Sequence, residues 1–309
     1  MHVCDICNYK GKMKRFEAVD CNENLSDKVY TYFSCPDCGT MRLASPLGGG
    51  RMEYASNYGS FVHIKKKSIN NSLRVKCDLY NLTGKGMLGR LYSHFIMPQP
   101  YMRVIRKTAS RHHKILDIGC GDGYLLNLLA DLGYKNLTGI DLYIPDELAG
   151  DNGKFILKKG TIEDAENSCF DLIISHHSFE HMEKPVYTMQ QMSSKLKNNG
   201  SMILSIPIAG SHLFKRYGAN WHQLDAPRHK YIHSVIGIDT IAGRAGLKIA
   251  DIIYDTNSFS YFHSEKLARH YSLKSVKNMM NLPAKYHLMS QRDNRNHLSD
   301  QATFILKKI

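Results

Sequence analysis

ILDIGCGDGY, residues 115–124, and TGIDL, residues 138–142, decide how this 309-residue chain folds. The first begins as an apolar run of strand composition and passes at once into Gly119, Gly121 and Gly123. Glycines at alternate positions between a strand and a helix remove the Cβ atoms that would hold a ligand off the backbone, and they permit left-handed angles. The second stretch ends its strand on Asp141, about 20 residues further on, where a carboxylate accepts hydrogen bonds from both hydroxyls of a ribose. A dinucleotide site shares that logic, but Tyr124 stands where its third glycine would be. Asp117, just before the glycines, would repel a pyrophosphate and suits a cationic amino-acid group instead.

Outward from this turn the chain alternates strand and helix patterns, the mark of a parallel sheet covered on both faces. Strands are expected at 115–119, 137–142, 155–159, 171–175, 201–206, 247–254 and 303–307. Helices are expected to start near Gly123, Lys184 and Ser234, the last with its own hydroxyl as N-cap. This gives a seven-stranded, Rossmann-like α/β domain over 112–309, with insertions at about 209–233 and 258–301. Residues 72–110, with Leu88, Leu91, Phe95 and Ile96 at helical intervals, predict a helical bridge within 51–111 that packs on the larger domain.

The first 50 residues read differently. Cys4 and Cys7 form one CxxC pair and Cys35 and Cys38 a second, 27 residues apart. Two such turns converge four thiolates on one point, which predicts a closed, structural zinc site, with free or redox thiols as the other reading. Cys21 lies between the pairs without a partner. Residues 29–33 have strand composition, as a ribbon hairpin requires. Gly48–Gly50 suggests a hinge.

A formal charge of +13 suits an anionic partner or a phosphorylated substrate. Only Lys65–Lys67 forms a basic run. No apolar stretch approaches the ~20 residues that cross a bilayer, and the charged start is unlike a signal peptide, so a cytoplasmic protein is expected.

In order along the chain, ILDIGCGDGY, TGIDL, GTIEDA (160–165), FDLIISHHSFEH (170–181) and LKNNGSMILSIP (196–207) resemble the successive motifs of class I S-adenosylmethionine-dependent methyltransferases. The resemblance implies that Asp117, Gly119, Cys120 and Gly121 face the methionine part of the cofactor and that Asp141 holds its ribose. It implies further that Leu142 packs on adenine, that Ile162 and Glu163 or Asp164 meet the adenine edge, and that His176 is another cofactor contact. The segment from Trp221 to Ser234 is similar to ubiquinone-biosynthesis O-methyltransferases and sugar methyltransferases. The cysteine ribbon followed by Tyr54 and Tyr58 is similar to deoxysugar C-methyltransferases, which implies a sugar-nucleotide or glycan-precursor acceptor.

Methyl transfer is an in-line displacement, so the protein chiefly aligns its reactants. A hydroxyl or carbon acceptor must also lose a proton, for which a histidine is the natural base. His229 is the first candidate and His181 the second, with Asp225 and His222 as orienting groups and Trp221 as a wall or as packing. Two rival readings are an RNA methyltransferase that grips phosphates with ribbon and basic surface, and a non-catalytic cofactor-binding assembly protein.

Overall fold

The computed structural model describes residues 2–22, 27–44, 73–95, 99–144, 148–149, 153–269 and 284–309. The expected hinge at Gly48–Gly50, the tyrosines at 54 and 58, the lysine run, Ile96 and residues 270–283 of the second insertion lie outside the described residues, as does the side chain of Phe95.

The amino-terminal part contributes β1 (His2–Val3), β2 (Lys10–Gly11), β3 (Lys14–Ala18), β4 (Tyr30–Ser34) and β5 (Met41–Leu43). Three helices follow, α1 (Leu73–Thr83), α2 (Met87–Phe95) and α3 (Pro100–Thr108). The remainder alternates β6 (Lys114–Ile118), α4 (Tyr124–Asp131), β7 (Asn136–Asp141), β8 (Leu148–Ala149), β9 (Ile156–Lys159), β10 (Phe170–His176), α5 (Pro185–Lys195) and β11 (Leu196–Pro207). It continues through α6 (His212–Tyr217), β12 (Tyr231–Ile232), α7 (Val235–Arg244), β13 (Leu247–Tyr254), α8 (Ser258–Ala268), α9 (Ala284–Arg295) and β14 (Gln301–Lys308).

The large sheet runs β13-β14-β11-β10-β6-β7-β9-β8. Five strands from β11 to β9 are parallel, while β14 lies antiparallel between β11 and β13. The seven expected strands are all present, and the two-residue β8 adds an antiparallel edge beside β9. Ile115, Leu116, Ile173, Ile174, Ile203 and Leu204 are fully buried. Burial on both faces follows from the helices that cover a parallel sheet, and each such side chain contributes ~1.5–3 kcal/mol relative to exposure. Ser234 caps α7 by accepting from the Gly237 amide at 2.8 Å.

The helical bridge forms, but its apolar face is not the expected one. Leu88 and Leu91 are 50% and 55% exposed, whereas Tyr101, Met102, Val104 and Ile105 of α3 are buried against the sheet core. The helix carrying Tyr101 sits against β11, and α2 contacts α1 instead. Helical spacing alone did not tell which of three short helices would meet the sheet.

The ribbon does not stand apart. Its sheet runs β12-β5-β4-β3, with Tyr231–Ile232 supplied from beyond β11. Around it Tyr32, Met41, Leu213, Trp221, Leu224, Ile232 and Tyr261 form one core cluster. Trp221, read as a wall or as packing, is packing: it is 1% exposed and its indole N–H donates to Asp300 at 3.0 Å.

Candidate active site

The glycine turn has the geometry its spacing predicts. Gly119, Gly121 and Gly123 take φ of +73°, +54° and +77°, left-handed values that cost any other residue strain. A Cβ on Gly119 would stand 2.3 Å from Cβ of Ser178. At the end of β7 the Asp141 carboxylate accepts from the Gly121 amide at 3.0 Å and the Tyr143 amide at 2.8 Å, which pins it beside the turn. Asp117, at the same end of β6, is buried; loss of water and then the charge of Asp141 push its carboxyl up to about 7. Two carboxylates are therefore held together where the sheet meets the turn, and a cationic group would relieve both.

Cys120 packs inside the turn. A Cβ on Gly139 would reach within 2.7 Å of its sulfur, and burial pushes its thiol well up, so it is no nucleophile at neutral pH. Leu142 is left 44% exposed beside Asp141. Ile162 is buried at the start of a 3-10 turn, where Thr161 forms a capping box with Asp164 and its hydroxyl also bonds Glu163. His176 stacks on Tyr101 with ring centroids 4.0 Å apart, and burial depresses its pKa strongly, so it is neutral.

Next to His176 a cavity of about 210 Å³ opens at the carboxyl ends of β10, β11 and β13. Its lining includes Tyr101, His177, His222, Asp255, Asn257 and Gln301. This is where parallel α/β sheets bind ligands. A cavity of about 340 Å³ lies at the opposite ends of the strands, beside Lys114 and Asn136, away from the glycine turn.

Of the four residues expected to act on an acceptor, His222 lines the cavity; its Nδ1 lies 3.3 Å from Asn22, and burial pushes it down to about 4. Asp225 is bound by Arg228 at 2.6 and 2.9 Å and by Asn22 at 2.6 Å. His229 is 5% exposed and donates its Nδ1 proton to the Gln223 carbonyl at 2.8 Å. His181 does the same toward the Arg228 carbonyl at 2.8 Å. These last three are not among the cavity-lining residues.

Two groups that line the cavity were not anticipated. His177 follows β10 in a left-handed conformation, φ +50°, with Nδ1 3.3 Å from Glu180. Asp255 directly follows β13; burial and then Asp300 push its carboxyl up to about 7. A polar residue closing an apolar strand was the available signal for both.

The four expected thiols converge. Cys4 and Cys38 sulfurs are 3.7 Å apart and those of Cys7 and Cys35 3.6 Å, with all four inside 4.8 Å. Bonds of ~2.3 Å to a tetrahedral zinc separate sulfurs by about 3.8 Å, whereas a disulfide requires about 2.05 Å. The knuckle turns close through Asn8 to the Cys4 carbonyl at 2.8 Å and Gly39 to the Cys35 carbonyl at 3.0 Å. The donor set and spacing fit a structural zinc ion.

Ribbon and cavity wall are joined by a buried clamp. Arg228, 1% exposed, bonds both Asp225 and Asp20, the latter at 2.7 and 3.0 Å, and the Tyr32 hydroxyl donates to the His229 carbonyl at 2.8 Å.

Residues 92–252 match a family model described as a methyltransferase domain. The ubiquinone biosynthesis O-methyltransferase of Rickettsia canadensis is 29% identical over 155 residues, covering 46% of this chain and 63% of that protein. The malonyl-[acyl-carrier protein] O-methyltransferase of Acetivibrio thermocellus is 28% identical over 159 residues, 49% of this chain and 45% of that one. The matched stretch thus spans less than two thirds of either relative's length. Geranyl diphosphate C-methyltransferase from Streptomyces coelicolor superposes with a TM-score of 0.42 at 15% identity, covering 65% of this chain and 76% of that structure. The family match takes in just over half the chain, including the glycine turn, Asp141 and the strands from β6 to β11, and on it the protein belongs to the class I S-adenosylmethionine-dependent methyltransferases.

Proposed function

We propose that the protein transfers a methyl group from S-adenosylmethionine to oxygen or carbon of a small polar acceptor, a sugar nucleotide or related glycan precursor. The observation that carries this reading is that the glycine turn, with Asp117 and Asp141, and a polar cavity at the ends of β10, β11 and β13 open on the same carboxyl edge of the sheet. Asp141 would hold the ribose diol, Asp117 the ammonium group, and the exposed Leu142 the adenine face; Gly119, Gly121, Ile162, Glu163 and His176 complete that lining. The bound cofactor supplies an activated methyl group.

What the chain's own residues add is alignment and a proton acceptor. His177, His222, Asn257 and Gln301 offer hydrogen bonds to a polyhydroxylated acceptor, and Arg74 offers cationic charge for a phosphate. Asp255 takes the acceptor proton: a buried carboxyl raised to about 7 is matched to neutral pH, and it lines the cavity, unlike His229 and His181. Zinc held by Cys4, Cys7, Cys35 and Cys38 keeps the ribbon folded.

The test is to incubate purified protein with methyl-labelled cofactor and separate pools of sugar nucleotides, small phenols and RNA. Label in the sugar-nucleotide pool is the expected result. Label confined to RNA overturns the acceptor assignment, and native protein that binds neither the cofactor nor its demethylated product overturns the enzyme reading.

A further inference from the structure

The loop wall behind the cavity holds a second set of donors unrelated to the cysteines. Glu180 is completely buried; its Oε1 lies 3.3 Å from His177 Nδ1, and its Oε2 has no hydrogen-bond partner among the described residues. A buried carboxylate oxygen without a partner is costly, and it marks a place where an ion belongs. Carboxylate, His181 and His229 each place one ligand atom so that all lie within 4.8 Å of one another. Both imidazoles are oriented by their other nitrogen, since each Nδ1–H donates to a backbone carbonyl at 2.8 Å, Arg228 for one and Gln223 for the other. That bond fixes the tautomer with the lone pair on Nε2 and holds the ring in place, as outer partners do for metal-bound histidines. His229 Nε2 and Glu180 Oε1 stand 3.8 Å apart, too long for a hydrogen bond but inside the reach of two bonds of ~2.1 Å to a shared ion. The rings cross at 66° with centroids 4.8 Å apart.

We propose that Glu180, His181 and His229 bind one divalent first-row transition cation. Two imidazoles and one carboxylate suit Zn2+, Mn2+, Fe2+ or Co2+, whereas Mg2+ and Ca2+ take oxygen donors. The ion ties the 3-10 turn at Phe179–His181 to the segment that carries Arg228 and His229, and coordination by both oxygens of Glu180 brings the orphaned Oε2 into its shell. The two histidines that the sequence offers as bases are ligands in this arrangement. The site stands whether or not the acceptor is a sugar nucleotide.

Mn2+ tests it, because manganese avoids the thiolate site. Protein carrying one equivalent of zinc per chain, which the four thiolates take first, is titrated with Mn2+ alone while the free-ion paramagnetic resonance signal is followed. One bound Mn2+ per chain, with nitrogen-14 couplings from imidazole in the wild-type spectrum, is expected. Glu180→Gln and His229→Asn each weaken it about tenfold or more, while retaining the wild-type complement of tightly bound zinc as the sign of a native ribbon. Natively folded wild-type protein that binds no Mn2+, or binds it without nitrogen coupling, overturns the proposal even if both variants unfold; so does undiminished binding in the folded variants.

Discussion

At the residue scale, two carboxyls carry their surroundings in their pKa. Asp117 is lifted to about 7 by burial and by Asp141, so a cationic ammonium group binds best when Asp117 is ionised. Binding therefore releases a proton, and affinity falls as pH drops through 7. Calorimetry should find S-adenosylmethionine about tenfold weaker at pH 6 than at pH 8, and Asp117→Asn should flatten that dependence. Asp255 is lifted to about 7 by burial and Asp300, above its ordinary 3.8. Its folded form holds the proton more tightly than the unfolded chain does, so its contribution is favourable below about pH 4 and is lost as pH rises through 7. Asp255→Asn should raise the melting temperature at pH 8, by at most ~4 kcal/mol of stability, and leave it unchanged near pH 4. The same variant should lower methyl-transfer rate roughly 10²–10⁴-fold if Asp255 takes the proton.

At the element scale, the turn between β6 and α4 and the loop between α6 and β12 depend on single residues for their shape. Gly119→Ala meets Ser178 at 2.3 Å and requires a left-handed alanine, while Gly210→Ala, φ +84°, meets nothing within 4 Å among the described residues. Urea unfolding should show Gly119→Ala as the costlier by more than ~1 kcal/mol, since only it adds a clash to the backbone strain of ~1–3 kcal/mol that both share. Arg228 lies between Asp20, buried like itself, and Asp225, whose side chain is 9% exposed. Removing only the cation leaves two carboxylates without compensation, so Arg228→Met should cost ~3–5 kcal/mol in the same assay.

At the scale of the whole molecule, ribbon and large sheet share a core, since Cys4, Ile6, Cys35 and Cys38 pack in one cluster with Tyr231, Ile238 and Ile241. Zinc removal by a chelator should therefore raise amide exchange in 221–234 as well as in the ribbon; protection unchanged in 221–234 would show that the two parts are uncoupled. Much of this architecture was legible beforehand. Alternating apolar runs placed all seven principal strands, Gly119 to Gly123 placed the turn, Ser234 placed a helix start, and the CxxC spacing brought four sulfurs together. Each of these is set by local chemistry, because strand period, left-handed glycine angles and knuckle turns act over a few residues. What lay beyond reach was nonlocal. Arg228 meets Asp20 across 208 positions, β12 joins a strand formed near the amino terminus, and α3 rather than α2 covers the sheet. On the loop that this distant clamp ties to the ribbon, His222 lines the cavity and His229 does not. The sequence by itself determined the sheet, the glycine turn and the sulfur cluster; only tertiary packing decided the cavity wall, because the contacts that orient it join segments whose separation leaves no periodic trace.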